Sequence, residues 1–359
     1  MFFSRSGIWL RSIQSLCQKL YKHKLFDVGS VAGDSRMQGI YSPIYDESII
    51  NKYLHTQFLE GALTYQEKYQ NFPHYRYLLS TAVGRISLRS SDQLTILDLG
   101  SGVGNTVIPL LELFPNSFVI ATDLSKELLA LLKRTLAGRG QDHRCALLQL
   151  NVEELDFHPS SFDLVVGAAI LHHLFSPEKS IEECAKILKK GGYAIFFEPF
   201  ELGYMILRLA YSAILKDPRS KELPTDVMKF LQEMIQTWDA MKGRDKSSPQ
   251  YLQMDDKWLF LPKYFHELSK QYGFSSCTIY PTHPPEQQFE IQTLSNLRLV
   301  TGRGQEALPE WAWALIRECD LRFSDELKSD LIIVGCVILQ RPYNFVTEAA
   351  RRLLHIGSS

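Results

Sequence analysis

From about Thr95 the chain alternates short apolar runs with longer stretches whose apolar residues recur at helical spacing. Thr95–Leu99 (TILDL) reads as a strand closed by glycines, Asn105–Phe114 as a helix stopped at Pro115-Asn116, and Phe118–Ala121 as a second strand. Ser125 is placed to cap a helix over Lys126–Ala137, which carries Leu128, Leu129, Leu131, Leu132 and Leu136. Ala146–Leu150 and Phe162–Ala168 follow as strands. Ile181–Leu188 has helical spacing, and Gly191-Gly192 is expected to turn the chain into a strand over Tyr193–Phe197. Strands separated by such helices make a parallel sheet covered on both faces. Right-handed crossovers then bring the strand carboxyl ends to one edge, where ligands bind.

The pattern changes further on. Lys263–Gln271 reads as a helix ended by Gly273, and Ser275–Tyr280 and Leu331–Leu339 as two late strands. Two long interruptions, 199–257 and 284–330, break the alternation; the second holds Trp311, Trp313 and Ile316 at helical spacing, as the buried face of a helix would. The fold expected is therefore α/β, a Rossmann-like, doubly wound and mostly parallel sheet of seven strands. It spans 94–340 with helical lid insertions at 199–257 and 284–330, preceded by an N-terminal helical cap over 41–93 and followed by a tail, 341–359.

The N-terminus has its own character. Met1–Phe26 holds five basic residues (Arg5, Arg11, Lys19, Lys22, Lys24) and no acid, with Trp9, Ile13, Leu16 and Leu20 at helical spacing. Three readings stay open: a basic amphipathic helix in peripheral contact with a membrane, an organelle transit segment, or a helix packed on the protein's own body. Asp27–Gly39, rich in Gly, Ser and Asp, reads as a linker completing a leader over 1–40. No transmembrane helix is expected: Leu331–Leu339 is too short, and Gly203–Leu215 is interrupted by Arg208.

Composition narrows the classes. The chain has 359 residues, 45% of them hydrophobic, and a net charge of −1. That is an ordinary globular balance, without the bulk positive charge that holds nucleic acid. Six scattered cysteines with no CxxC pair argue against a zinc ribbon or a disulfide scaffold, and for a reducing, cytoplasmic setting. No metal ligand set is expected.

The chemistry concentrates at Ile96–Gly104, ILDLGSGVG. A strand runs into Gly100, Gly102 and Gly104 and then into a helix, so the backbone can turn tightly against a ligand with no Cβ in the way. Asp123, at the end of the second strand and 19 residues beyond Gly104, can accept both hydroxyls of a ribose. Together they imply a nucleoside-containing cofactor. GxGxG departs from the dinucleotide fingerprint GxGxxG, and Asp98 adds a carboxylate that suits a cationic ligand better than a pyrophosphate.

Those residues, followed in order by VIATDLS, LLQLNVEEL, FDLVVGAAILHHL and AKILKKGGYAIFFEP, resemble the class I S-adenosylmethionine-dependent methyltransferases, particularly the small-molecule group that includes quinone-biosynthesis enzymes. The resemblance is close over Leu94–Glu198 and looser to about Gln340. It implies S-adenosyl-L-methionine as cofactor. It places Gly100, Gly102 and Gly104, with Ser101 between them, around the methionine part. Asp98 then stands near the amino group and Asp123 on the ribose hydroxyls. Leu124 and Val152 pack on the adenine, Asn151 meets its amino group, and Ala168 contributes backbone. Asn151 departs from the Asp usual in the family, though an Asn carbonyl can still accept.

Methyl transfer needs the acceptor held in line with the methyl carbon and water excluded. A base is needed only where the acceptor must lose a proton. His172 and His173, just after the fourth strand, are the candidates, and as neighbours at most one of them faces the acceptor. Glu198 and Glu201 are weaker ones. Tyr41, Tyr45, Tyr53, Tyr65, Tyr69, Tyr75 and Tyr77, with Pro199, Phe200, Tyr204, Met205, Ile206 and Leu209, could wall an apolar pocket for a small organic or lipid-like acceptor, or merely pack helices. The competing functions are a protein or nucleic-acid methyltransferase, for which neither an (N/D)PP(Y/F) signature nor a basic stripe is present, a nicotinamide oxidoreductase, and a catalytically silent cofactor-binding fold.

Overall fold

The computed structural model describes residues 5–43, 61–241 and 254–343, and residues 50, 54, 246, 248, 251 and 252, with side chains from residue 13 onward. The side chain of Trp9, the tyrosines Tyr45 and Tyr53, and the tail beyond Tyr343 lie outside the described residues.

Among the described residues nine strands form one sheet, where seven were expected. They are β1 (Phe26–Asp27), β2 (Ile40–Ser42), β3 (Thr95–Leu99), β4 (Phe118–Asp123), β5 (Cys145–Gln149), β6 (Phe162–Ala168), β7 (Leu188–Pro199), β8 (Ser276–Pro281) and β9 (Val334–Gln340). Their order is β1-β2-β5-β4-β3-β6-β7-β9-β8. The two additional strands are β1 and β2, which flank the expected linker and are too short to show a period of two. β2 pairs parallel with β5 (Ile40↔Leu147), and β1 pairs antiparallel with β2. What read as linker composition is turn chemistry: the Asp27 carboxylate accepts from Ser30 N–H (2.8 Å) and Gly39 N–H (2.7 Å), closing that stretch on itself.

The chain forms two compact units, Met1–Phe196 with His266–Thr278 and Ile338–Ser359, and Phe197–Phe265 with Ile279–Val337. In the first unit, β3 is the middle of the parallel array, with Asp98 opposite Ala121 of β4 and Val166 of β6. The chain winds outward from β3 through β4 and β5, then returns to lay β6 on the other side. That reversal puts a crevice at the carboxyl ends of β3, β4 and β6.

Helix α1 (Arg5–Leu20) ends against this unit: Ile13, Cys17 and Tyr21 are buried, Tyr21 bridges to Phe157, and Lys22 N–H donates to Asp156 C=O (2.9 Å). Of the three readings for the leader, its C-terminal half takes the one packed on the protein's own body. Helix α2 (Val28–Ala32) follows, then α3 (Ala62–Tyr69), α4 (Phe72–Val83), α5 (Val107–Leu113), α6 (Lys126–Gly138) and α7 (Pro177–Ile187). The Ser125 hydroxyl accepts from Leu128 N–H (3.1 Å), the expected cap of α6. Gly191-Gly192, expected as a turn, is instead inside β7. Gly191 N–H donates to Arg341 C=O (3.1 Å), Arg341 N–H donates to Gly192 C=O (2.9 Å), and a Cβ on Gly191 would lie 2.2 Å from the Tyr343 ring. The glycines are there for that close approach.

The second unit joins the two sequence interruptions. Helices α8 (Glu201–Lys216), α9 (Thr225–Ala240), α11 (Gln288–Thr301) and α12 (Glu310–Arg322) close around Tyr211, Trp238, Phe289 and Trp313, all buried; α10 (Pro262–Gln271) lies between them in sequence. Trp313 Nε1–H donates to Gln305 C=O (2.8 Å), and buried Asp320 accepts from Phe289 and Glu290 N–H (3.1 and 3.0 Å) at the start of α11. Tyr204 belongs to this core, Met205 and Ile206 pack against it, and Leu209 is exposed. No helix among the described residues is long and apolar enough to cross a membrane.

Candidate active site

A cavity opens at the carboxyl ends of β3, β4 and β6. Of the residues singled out from the sequence, Gly100, Gly102, Asp123, Leu124, Asn151, Val152 and His173 line it. Asp98, Ser101, Gly104, Ala168 and His172 do not.

The glycine loop is sharply left-handed, with φ +65° at Gly100, +50° at Gly102 and +92° at Gly104. The three glycines serve different ends. A Cβ on Gly100 would meet the Ile170 side chain at 2.6 Å, and one on Gly104 would meet Leu132 of α6 at 2.5 Å. Gly104 is therefore a packing glycine, and the expectation that it borders the ligand gives way to contact with the helix behind. Around Gly102 the nearest atom is Tyr65 Cε1, 4.0 Å from where a Cβ would sit, so this glycine faces open cavity.

Asp123 braces the loop as well as facing the cavity. One carboxylate oxygen accepts from Gly102 N–H (2.8 Å), the other from Ser125 N–H (2.8 Å). Burial nevertheless pushes its carboxyl up to about 6, against those backbone donors. Asp98 sits deeper, fully buried in β3. Its backbone carbonyl takes the hydroxyls of Thr122 (2.8 Å) and Ser101 (3.2 Å), but neither carboxylate oxygen has a hydrogen-bond partner. Burial pushes it up to about 7, moderated by the nearby Ser101 and Thr106 hydroxyls and reinforced by the charge of Asp123. A buried carboxylate without donors costs stability unless a ligand supplies them. Ser101 N–H donates to Thr122 C=O (2.7 Å), which ties the loop to the end of β4.

Past β6, Ala169 rather than Ala168 reaches the cavity, because the chain turns there through a left-handed residue (φ +54°). Such a conformation at a non-glycine is characteristic of functional turns. The next turn carries the two histidines, whose rings stand 4.1 Å apart. His173 borders the cavity, while His172 is buried away from its lining. Asn151 lines the site, and its carbonyl accepts from Glu153 N–H (3.1 Å), engaging one of its two lone pairs.

Two residues carry more weight than their sequence context suggested. The buried Glu153 carboxylate accepts from Phe175 N–H (2.8 Å) and Ser176 N–H (3.0 Å), fixing the segment just after the histidines at the start of α7. Its signal was an acid directly after the Asn151 turn. Tyr65 of α3 enters the lining from outside the strand–helix core.

A glycine-loop crevice with two buried carboxylates and no Lys or Arg in its described lining has the charge to suit a cationic nucleoside. A methyltransferase-domain family profile matches residues 97–196. The rest of the chain lies outside that match. The chain is 29% identical over 148 residues to a demethylmenaquinone methyltransferase of Clavibacter sepedonicus, covering 40% of this chain and 58% of that protein. It is 30% identical over 105 residues to a phosphatidylethanolamine N-methyltransferase of Cereibacter sphaeroides, covering 29% of this chain and 50% of that one. The chain thus spans about half the length of these relatives. A solved structure of Haemonchus contortus phosphoethanolamine N-methyltransferase 2, in complex with S-adenosyl-L-methionine, superposes with a TM-score of 0.50 at 15% identity, covering 83% of this chain and 60% of that one. That likeness is one of fold: a Rossmann-like methyltransferase sheet.

Proposed function

We propose that this protein transfers a methyl group from S-adenosylmethionine to a small organic, partly apolar acceptor. The observation that supports it most is the pairing of Asp98, whose buried carboxylate has no donor, with Asp123 at the rim of the same crevice. The residues suit the cofactor. Asp123 can accept two ribose hydroxyls, and Leu124, Leu128, Leu150 and Val152 offer an apolar slot for a flat base. The unobstructed face of Gly102 lets a methionine tail lie on the backbone. Asp98 places negative charge behind that tail. When bound, the cofactor supplies an electrophilic methyl on a positively charged sulfur.

The chain's own contribution is then placement, an apolar lining and one proton. Ile170 and Leu174 give the lining apolar character beside His173, and His173 can take a proton from an acceptor hydroxyl or acidic carbon. The quinone and lipid-headgroup acceptors in the relatives' names favour a small, partly apolar molecule. The sequence has no (N/D)PP(Y/F) signature to favour a nucleic-acid acceptor.

The test is methyl transfer from labelled S-adenosylmethionine to a panel of quinols and amino-alcohol headgroups. His173→Ala is expected to lower kcat at least about tenfold more than His172→Ala, with cofactor affinity unchanged. Equal rates in the two variants would remove His173 as the base. No transfer to any of these acceptors, with cofactor binding intact, would leave the silent fold as the better reading.

A further inference from the structure

Tyr65 reaches the cavity from a segment that the methyltransferase domain does not include. Its helix α3 is fastened to the glycine loop in two ways. Ala62 and Tyr65 pack with Val103, Leu128 and Leu131. The Asn105 side chain, one residue past Gly104, donates to Tyr69 C=O (2.9 Å) and accepts from Asn71 N–H (2.8 Å). The ring is therefore held at Gly102, with Cε1 4.0 Å from the place a Cβ would take. Tyr69 stands behind it at 4.6 Å, and the outer ring already carries a cation, with Lys68 Nζ 5.1 Å from its centroid. The described lining holds no Lys or Arg, while Asp123 is in it and Asp98 lies just beneath.

An aromatic face and two carboxylates around a cavity with no Lys or Arg in its described lining favour a cation over a neutral ligand of the same shape. Methyl transfer creates that contrast. The acceptor's lone pair forms the new bond to carbon, and the sulfur–carbon pair returns to sulfur. The sulfonium thus becomes a neutral thioether, and any acceptor proton passes to the base.

We propose that Tyr65 is the specificity residue by which this site holds the charged cofactor in preference to its neutral thioether product. The inference rests on the methyltransferase reading above. Its consequence is release: the product leaves because the ring attracts it less than the cofactor that replaces it.

Calorimetric titration of the full chain with S-adenosylmethionine and with S-adenosylhomocysteine tests it. Tyr65→Leu is expected to weaken S-adenosylmethionine about 5- to 30-fold and S-adenosylhomocysteine less than about twofold, while Tyr65→Phe keeps the wild-type ratio within about twofold. A merely structural tyrosine would weaken both ligands together, and that result, or Tyr65→Phe behaving as Tyr65→Leu, would overturn the proposal. If Tyr65→Leu does not fold, progressively fluorinated phenylalanines at position 65 give the same readout. Affinity for the sulfonium must fall with fluorine count while that for the thioether holds, and a flat series overturns the proposal. A wild type that binds neither ligand overturns the methyltransferase reading itself, whereas equal shifts on a binding background overturn only the role of Tyr65.

Discussion

The two compact units answer to different physics. In the first, backbone ladders order the strands, with β3 held between β4 and β6, and the ligand crevice follows from where the winding reverses beside β3. In the second, helices close around Tyr211, Trp238, Phe289 and Trp313, and no backbone ladder sets their order. The first unit sacrifices stability at its site, burying Asp98 without a donor. The second pairs some of its buried polar groups in place, as with Asp320 at the start of α11 and the Trp313 indole on Gln305, while Gln288 Oε1 is left without a hydrogen-bond partner.

The largest expected effect separates the units by binding. Asp123→Ala removes the bonds to Gly102 and Ser125 together with the ribose acceptor, and S-adenosylmethionine affinity should fall about 100-fold or more by calorimetry. An unchanged affinity would break the assignment of chemistry to the first unit. Next, Trp313→Ala should destabilise the second unit by about 3–5 kcal/mol in denaturant unfolding. Cofactor affinity of the folded fraction should stay within about threefold. A large loss of affinity with little loss of stability would reverse the division of labour.

Proton linkage sharpens the contrast. Burial raises Asp98 to about 7 and Asp123 to about 6 from an ordinary 3.8. Between those limits the folded chain holds protons that the unfolded chain has released, so stability of the free protein should fall as pH rises from about 4 to 7. Cofactor affinity should run the opposite way, rising over pH 6–7.5 as the carboxylates ionise. Thermal melts with and without cofactor across that range check both signs, and parallel trends would contradict the linkage. The smallest effect is local: Ser125→Ala should cost about 1 kcal/mol through loss of the α6 cap, with the site otherwise intact.

Much of the first unit was legible in the chain because parallel strands are short, apolar and punctuated. The β6 bounds match residue for residue, and Ser125 caps α6 as its spacing indicated. The short strands β1 and β2 escaped because two and three residues carry no period, and the Asp27 turn chemistry looked like a linker. At the site, motif order pointed to Asp98 and Asp123. It could not separate Gly102, which faces the cavity, from Gly104, which packs on Leu132, nor choose Ala169 over Ala168, because these turn on which way a left-handed loop directs its backbone. Tyr65 was one of seven tyrosines ahead of the strand–helix core, and its place in the cavity lining singles it out. The second unit was legible helix by helix, with Trp313 on the buried face as its spacing suggested. Which helices gather around which aromatic rings is a tertiary choice that periodicity does not encode.

The most direct measurement is calorimetric titration of S-adenosylmethionine into the wild-type chain and Asp98→Asn at pH 7.5, beside their melting temperatures without ligand. The wild type should bind one cofactor per chain. Asp98→Asn should bind at least about tenfold more weakly, yet melt no lower than wild type, since it removes a buried charge that has no donor of its own. A wild type that takes up no cofactor, or an Asp98→Asn variant that binds as tightly as wild type, would contradict the claim that this carboxylate is kept for a cationic ligand.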